Sequence, residues 1–216
     1  HGNDFYLDDQ PWTFPDNRFF MTDAFNDYAA RFLEDAVTGD KPFFLYVAYI
    51  APHWPLHARE KDIAAYRNRY RQNGWDEWRQ TRLVRQNEMG LLPAGSELAP
   101  EAASIHEWKD DKHQDWQAER MAAYAAQITN VDRGVGRILT VLRDTGRERD
   151  TLVLFLSDNG AAPDGGLRPS TSGFGFGAKP TTAWRKDGVA IKGGSGPDRL
   201  PGPHDTFAAY GLAWAT

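Results

Sequence analysis

Two spacings of apolar residues divide the chain. From Thr22 onward, Phe25, Tyr28, Ala29, Phe32, Leu33 and Ala36 recur at the three- and four-residue steps of a helix that buries one face. Thr22 or Asp23 can cap its start, and Gly39 can close its end. A longer stripe runs through Met121, Tyr124, Ile128, Val131, Val135, Ile138, Leu139 and Leu142 and predicts a second helix. Gly146 stands where a left-handed glycine ends such a helix. The other spacing is continuous. Phe43–Ile50 and Leu152–Leu156 are nearly all apolar and short, which predicts strands covered on both faces, as in a parallel sheet. Pro52 and Pro55 stop the first of them. Between these segments, residues 59–90 predict Arg-rich, Trp-containing helices, and 91–117 carry charge with few periodic apolar positions. Residues 1–20, rich in Asp, Pro and aromatics, read as irregular chain or a short hairpin.

The order helix, strand, helices, helix, strand predicts an α/β fold with a mostly parallel sheet flanked by helices. After Asn159 the character changes. Residues 160–216 hold 12 of the 20 glycines and 6 of the 13 prolines, so this stretch reads as a long loop region of the kind that carries function. No internal repeat is visible.

Composition narrows the partners. At 216 residues with 41% hydrophobic content the chain can build a sizeable core and is not a disordered sequence. Its net charge of -5 and the lack of a long basic block speak against nucleic acid and anionic membranes. No apolar run approaches the roughly 20 residues of a membrane span. With no Cys, disulfides, thiolate metal sites and Cys nucleophiles are excluded from this stretch. His1 and the aromatic-rich close "FAAYGLAWAT" both read as interior points of a longer chain.

In open α/β sheets, ligands bind beyond the carboxyl ends of the strands. Two polar clusters stand there. Asp158-Asn159-Gly160 follows the second strand and offers a carboxylate, a side-chain carbonyl and a flexible turn. These are hard oxygen donors suited to Ca²⁺ or Mg²⁺. Asp, Asn and Gly are equally the favoured residues of a plain turn, and both readings stand at this point. Two ligands also fall short of the roughly 6 to 8 oxygens that Ca²⁺ takes. His53 follows the first strand in "APHWPLHA", where it can act as a general acid or as a donor to a developing anion, or serve only as a loop residue among prolines. His53 and His57 mimic a helical zinc pair, but Pro55 lies between them and position 54 is not Glu. "GFGFGAKP" at 173–180 lacks phosphate-loop spacing, and "GGSGP" lacks the nucleophile-elbow pattern.

Taken together, "RFFMTDAFNDYAARFLEDA", "KPFFLYVAYIAPHWPLHA", "MAAYAAQITNVDRGVGRILTVLRDTGRERDTLVLFLSDNGA" and "AAYGLAWAT" resemble, in this order, segments of the type I sulfatases of the alkaline phosphatase superfamily. The resemblance implies a sulfatase-like α/β fold and hydrolysis of aryl or carbohydrate sulfate esters. It implies Asp158 and Asn159 as ligands of a divalent cation, usually Ca²⁺, and His53 as the histidine that contacts sulfate and assists the leaving oxygen. It further implies a formylglycine nucleophile made from a Cys or Ser in a C/S-x-P-S-R-type motif, and a periplasmic or extracellular location. No such motif occurs in this chain, and Asp8-Asp9 follow no buried strand, so the family's N-terminal aspartate pair is not assigned to them. Lys179 and Lys192 stay unassigned. Residues 1–216 are therefore expected to form an interior part of a catalytic domain, inactive alone. A phosphonate monoesterase or phosphodiesterase of the same superfamily, or a non-catalytic module on the same scaffold, are the alternatives.

Overall fold

A computed structural model describes residues 5–13, 19–53, 56–101, 105–160, 183–184, 190–193, 206–207 and 212–215. The contacts divide the chain into two units. The first comprises residues 1–49, 130–151 and 184–189, and the second 50–129, 152–183 and 190–216.

The first unit opens with a hairpin of β1 (Phe5–Leu7) and β2 (Gln10–Trp12), antiparallel with Leu7 opposite Gln10. Its two-residue turn is Asp8-Asp9, both at positive φ (49° and 63°), which matches the right-handed strand twist. Phe5 and Trp12 pair edge to face across it. Helix α1 follows (Met21–Ala36). Its start differs from the sequence expectation. Phe20 is the cap and makes no side-chain bond, while Thr22 lies buried in the first turn. Its end differs too: Val37 caps it in a right-handed conformation, and Gly39 is not left-handed. The apolar stripe is also rotated. The buried line is Thr22, Asn26, Ala29, Ala30 and Leu33, with Phe32 left exposed. Phe25 and Tyr28 flank that line, against Tyr49 and Trp12 respectively.

The second unit holds α2 (Glu60–Ala64), α3 (Arg67–Glu88) and a 3₁₀ turn at Trp108–Asp110. Helix α4 (Gln114–Asp144) gives its residues up to Thr129 to this unit and those from Asn130 to the first. Leu56, Ala58 and Ile63 pack on Ala122, Ala123 and Ala126 of α4. Complete burial of Leu56 and Ile63 contributes about 1.5–3 kcal/mol each. Arg67 clamps the same region through paired hydrogen bonds to Glu60 and Glu119, which raise its pKa and lower that of Glu60. A second cluster is aromatic. Trp75 and Trp108 meet edge to face at 4.7 Å, and Trp214 of the short helix at 212–215 packs on both. The Trp75 indole N–H donates to the His106 carbonyl, and Asp76 receives the Trp108 backbone N–H. Gly74 makes this approach possible. At φ 61° it breaks α3, and a β-carbon there would overlap the Trp108 indole.

The expected C-terminal signal of α4 is present. Gly146 has φ 72°, its N–H bonds the Arg143 carbonyl, and the Arg147 N–H reaches back to Leu142, a Schellman closure. The expected sheet is not seen. Residues 43–50 alternate half-buried and exposed, the period of extended chain, but pair with no strand among the described residues. Phe44 is 92% exposed and Leu152 83%. Residues 152–156 likewise form no ladder and are exposed throughout. A strand is stable only with neighbours that take its backbone groups, and none of the described residues supplies them. Strands β3 (Ala183–Trp184), β4 (Ala190–Gly193) and β5 (Thr206–Phe207) are short; β4 and β5 pair in parallel. Pro55, Lys179 and most of the 160–216 loop region lie outside the described residues.

Two glycines give opposite expectations. Gly74→Ala should lower stability by about 2–4 kcal/mol through strain and overlap with Trp108. Gly136→Ala, inside α4 with open space around it, should raise stability by about 1 kcal/mol. Denaturant unfolding of both variants beside the parent checks this; equal midpoints would contradict it.

Candidate functional site

Each expected site residue lies just beyond one of the two unpaired apolar segments. His53 closes the turn after the first: its backbone N–H donates to the Ile50 carbonyl at 2.9 Å across Ala51-Pro52, whose peptide is cis. The His53 side chain is exposed, while three residues later Leu56 is wholly buried. The turn is thus tied down on its downstream side and leaves the imidazole at the surface.

Asp158 and Asn159 sit on a bend after the second segment, both exposed. The bend is organised locally. Ser157 Oγ donates to the Asn159 carbonyl at 2.7 Å, and Asn159 Nδ2 donates to the Gly160 carbonyl at 2.7 Å. This is turn chemistry, as the tripeptide suggested. It is also compatible with metal binding, because the bond uses the amide nitrogen of Asn159 and spares its side-chain oxygen. An exposed carboxylate beside a spare amide oxygen is a donor pair that fits a hard divalent cation. The pair is incomplete: among the described residues no group of three or more His, Cys, Asp or Glu side chains gathers as a metal site. The structure joins Asp158 and Asn159 through chain adjacency, and His53 stands on a turn of its own.

Other charged clusters have structural work. The Asp111 carboxylate receives His106, Gln117 and the backbone N–H of His113, which secures the turn before α4. A cleft lined by Arg71, Lys112, His113, Asp115 and Trp116 contains none of the expected site residues. Arg120 is buried over the Trp116 ring at 4.3 Å, and desolvation pushes its pKa down to about 9 against the pull of Asp111.

The sequence reading passed over one group. Asn26 and Asn130 are buried and hydrogen-bonded to each other, and Asn26 receives the hydroxyl of Tyr49, four residues before His53. The signal was available. Asn26 lies three, four and seven residues before Ala29, Ala30 and Leu33, so it interrupts an otherwise apolar face of α1.

Comparison with known proteins gives a consistent result. A family model described as Sulfatase matches residues 2–192. The chain is 30% identical over 208 residues to the arylsulfatase of Klebsiella aerogenes, a match that covers 93% of this chain and 40% of that protein. It is 33% identical over 141 residues to an uncharacterized sulfatase of Schizosaccharomyces pombe, covering 63% of this chain and 25% of that one. It is 31% identical over 121 residues to the N-sulphoglucosamine sulphohydrolase of Homo sapiens, covering 56% and 22%. The chain thus spans less than half the length of these relatives.

With two oxygen donors at one bend, the 216-residue chain should bind Ca²⁺ only weakly, with a dissociation constant above about 1 mM. Isothermal titration checks this, and micromolar binding would show that this chain carries a complete site.

Proposed function

The chain belongs to the sulfatase family, and from that premise we propose that it supplies part of an active site that hydrolyses an organic sulfate ester and releases inorganic sulfate. One observation carries the reading. The family match runs through both His53 and Asp158-Asn159, and these polar groups stand exposed just beyond the two apolar segments that the sequence marks as strands.

In this reading the Asp158 carboxylate and the Asn159 side-chain oxygen would hold a divalent cation, Ca²⁺ or alternatively Mg²⁺, with further ligands from elsewhere in the protein. Held there, such a cation would supply positive charge opposite the sulfate oxygens. His53, protonated, delivers its proton to the ester oxygen as the sulfur–oxygen bond breaks, so that an alcohol or phenol leaves in place of an alkoxide or phenoxide. The nucleophile is a formylglycine contributed from outside these residues, and the 216-residue chain alone is inactive. The substrate is an aryl or carbohydrate sulfate ester; the name of the arylsulfatase fits the first class, and that of the N-sulphoglucosamine sulphohydrolase points to a sulfated sugar, there with the sulfate on nitrogen. A chain with 30 acidic against 25 basic residues suits a small, singly charged sulfate ester better than a polyanion.

The test is the full-length protein, expressed with a formylglycine-generating enzyme and assayed on the sulfate ester of an unactivated phenol, whose oxygen needs a proton to leave, with Ca²⁺ and after chelation. Sulfate release should fall at least about 100-fold in His53→Ala, the scale of a lost general acid. It should fall as far in Asp158→Ala or on chelation, with added Ca²⁺ restoring only the chelated parent. Turnover of a phosphate diester or phosphonate in place of the sulfate would move the protein to another branch of chemistry.

A further inference from the structure

Tyr49 occupies an unusual place in the first unit. The half-buried side chains of its segment are Phe43, Leu45, Val47 and Tyr49, and the first three offer only apolar contact. Apolar contact does not define position along a strand sharply. A slip by two residues keeps every side chain on its own face, yet moves the chain by about 7 Å. A directional bond is what separates one register from the next. Tyr49 makes that bond: its hydroxyl donates to Asn26 Oδ1 at 2.7 Å. The acceptor is itself fixed. Asn26 Nδ2 donates to the Asn130 backbone carbonyl at 3.1 Å and to its side-chain oxygen at 3.2 Å, and Asn130 Nδ2 donates to Asp23 at 2.9 Å. Asn26 and Asn130 are buried, so breaking the chain of bonds strands polar atoms away from water. Space is fixed as well. A β-carbon on Gly134 would overlap Asn26 Oδ1 and crowd the Tyr49 hydroxyl, so the helix carries no side chain where the two meet. Burial raises the Tyr49 pKa, with Arg137 opposing, so the phenol keeps its proton and remains a donor.

We propose that Tyr49 is a positioning residue: held by Asn26 and Asn130, it fixes the register of the segment that runs into His53 and so governs proton delivery to the leaving oxygen. The proposal rests on the role assigned to His53 above. Three residues, Ile50, Ala51 and Pro52, connect the two, and they form the turn that the His53 N–H closes onto Ile50.

The experiment uses the full-length, matured enzyme and two sulfate esters, one with a nitrophenol leaving group and one with a simple alcohol. An alcohol needs the proton; a nitrophenoxide leaves almost without it. Tyr49→Phe removes one oxygen and keeps the ring. It should lower kcat on the alkyl sulfate about 10-fold while kcat on the nitrophenyl sulfate and both KM values stay within about twofold. In a His53→Ala background the same substitution should cost nothing further. Gly134→Ala, which displaces the hydroxyl while residue 49 stays Tyr, should give the same leaving-group signature. A Tyr49→Phe enzyme that melts earlier but keeps both kcat values per folded molecule overturns the proposal, because the bond is then only structural. His53→Ala with equal losses on the two esters removes the acid role of His53 itself, and the proposal falls with it. The two failures are told apart by which variant lacks the leaving-group dependence.

Discussion

Along α4 about half of the buried positions are small: Ala118, Ala122, Ala123, Ala125 and Ala126 in one unit, Gly134 in the other. The close approach they permit is the condition for almost everything else described. In the second unit it lets Leu56, Ala58 and Ile63 lie directly on the helix, which ties down the chain just past His53. In the first unit it leaves room for two hydrogen-bonded side chains, Asn26 and Tyr49, beside bare backbone. A larger residue at any of these points must push a neighbour aside, because packed interiors have no spare volume. Gly74 does the same for Trp108. The recurring device is a missing side chain that admits a large or polar one.

The candidate site has a different economy. His53 and the Asp158-Asn159 bend are held by local bonds and nearby packing, yet the segments that bring them forward are bare on at least one face. That separation is physically coherent. Turn geometry needs only neighbours in sequence, whereas coordination of a cation and assembly of a sheet need groups that are far apart in the chain. The described residues therefore hold finished turns and an unfinished centre, which agrees with a chain that spans less than half the length of its relatives.

Legibility follows the same division. Helices α1 and α4 were readable because their periodicity is local, and so was the glycine that closes α4. The rotation of α1 was not, because a scale of apolarity gives no credit to Asn26 or Thr22. The burial of Asn26 goes with a partner about 100 residues away, Asn130. The caps assigned to Thr22, Asp23 and Gly39 failed for a related reason: favourable residue types were present, but the helix began and ended slightly elsewhere. The two apolar runs were legible as extended chain, but the parallel sheet expected of them does not form among the described residues, since a ladder is a property of two segments. At the site, His53, Asp158 and Asn159 were legible as reactive residue types after apolar runs and through family resemblance. No local pattern relates them to one another, and among the described residues His53 stands on a turn separate from the Asp158-Asn159 bend.

The exposed run from Leu152 to Asn159 has one more consequence. Peptidases take their substrates as unpaired chain with free backbone amides and carbonyls, and this stretch presents both beside large apolar side chains that such enzymes favour. Whatever strands flank it in a complete sheet would also conceal it. As it stands among the described residues, the stretch from 152 to 159 is open to being cut, in the segment that leads into Asp158 and Asn159.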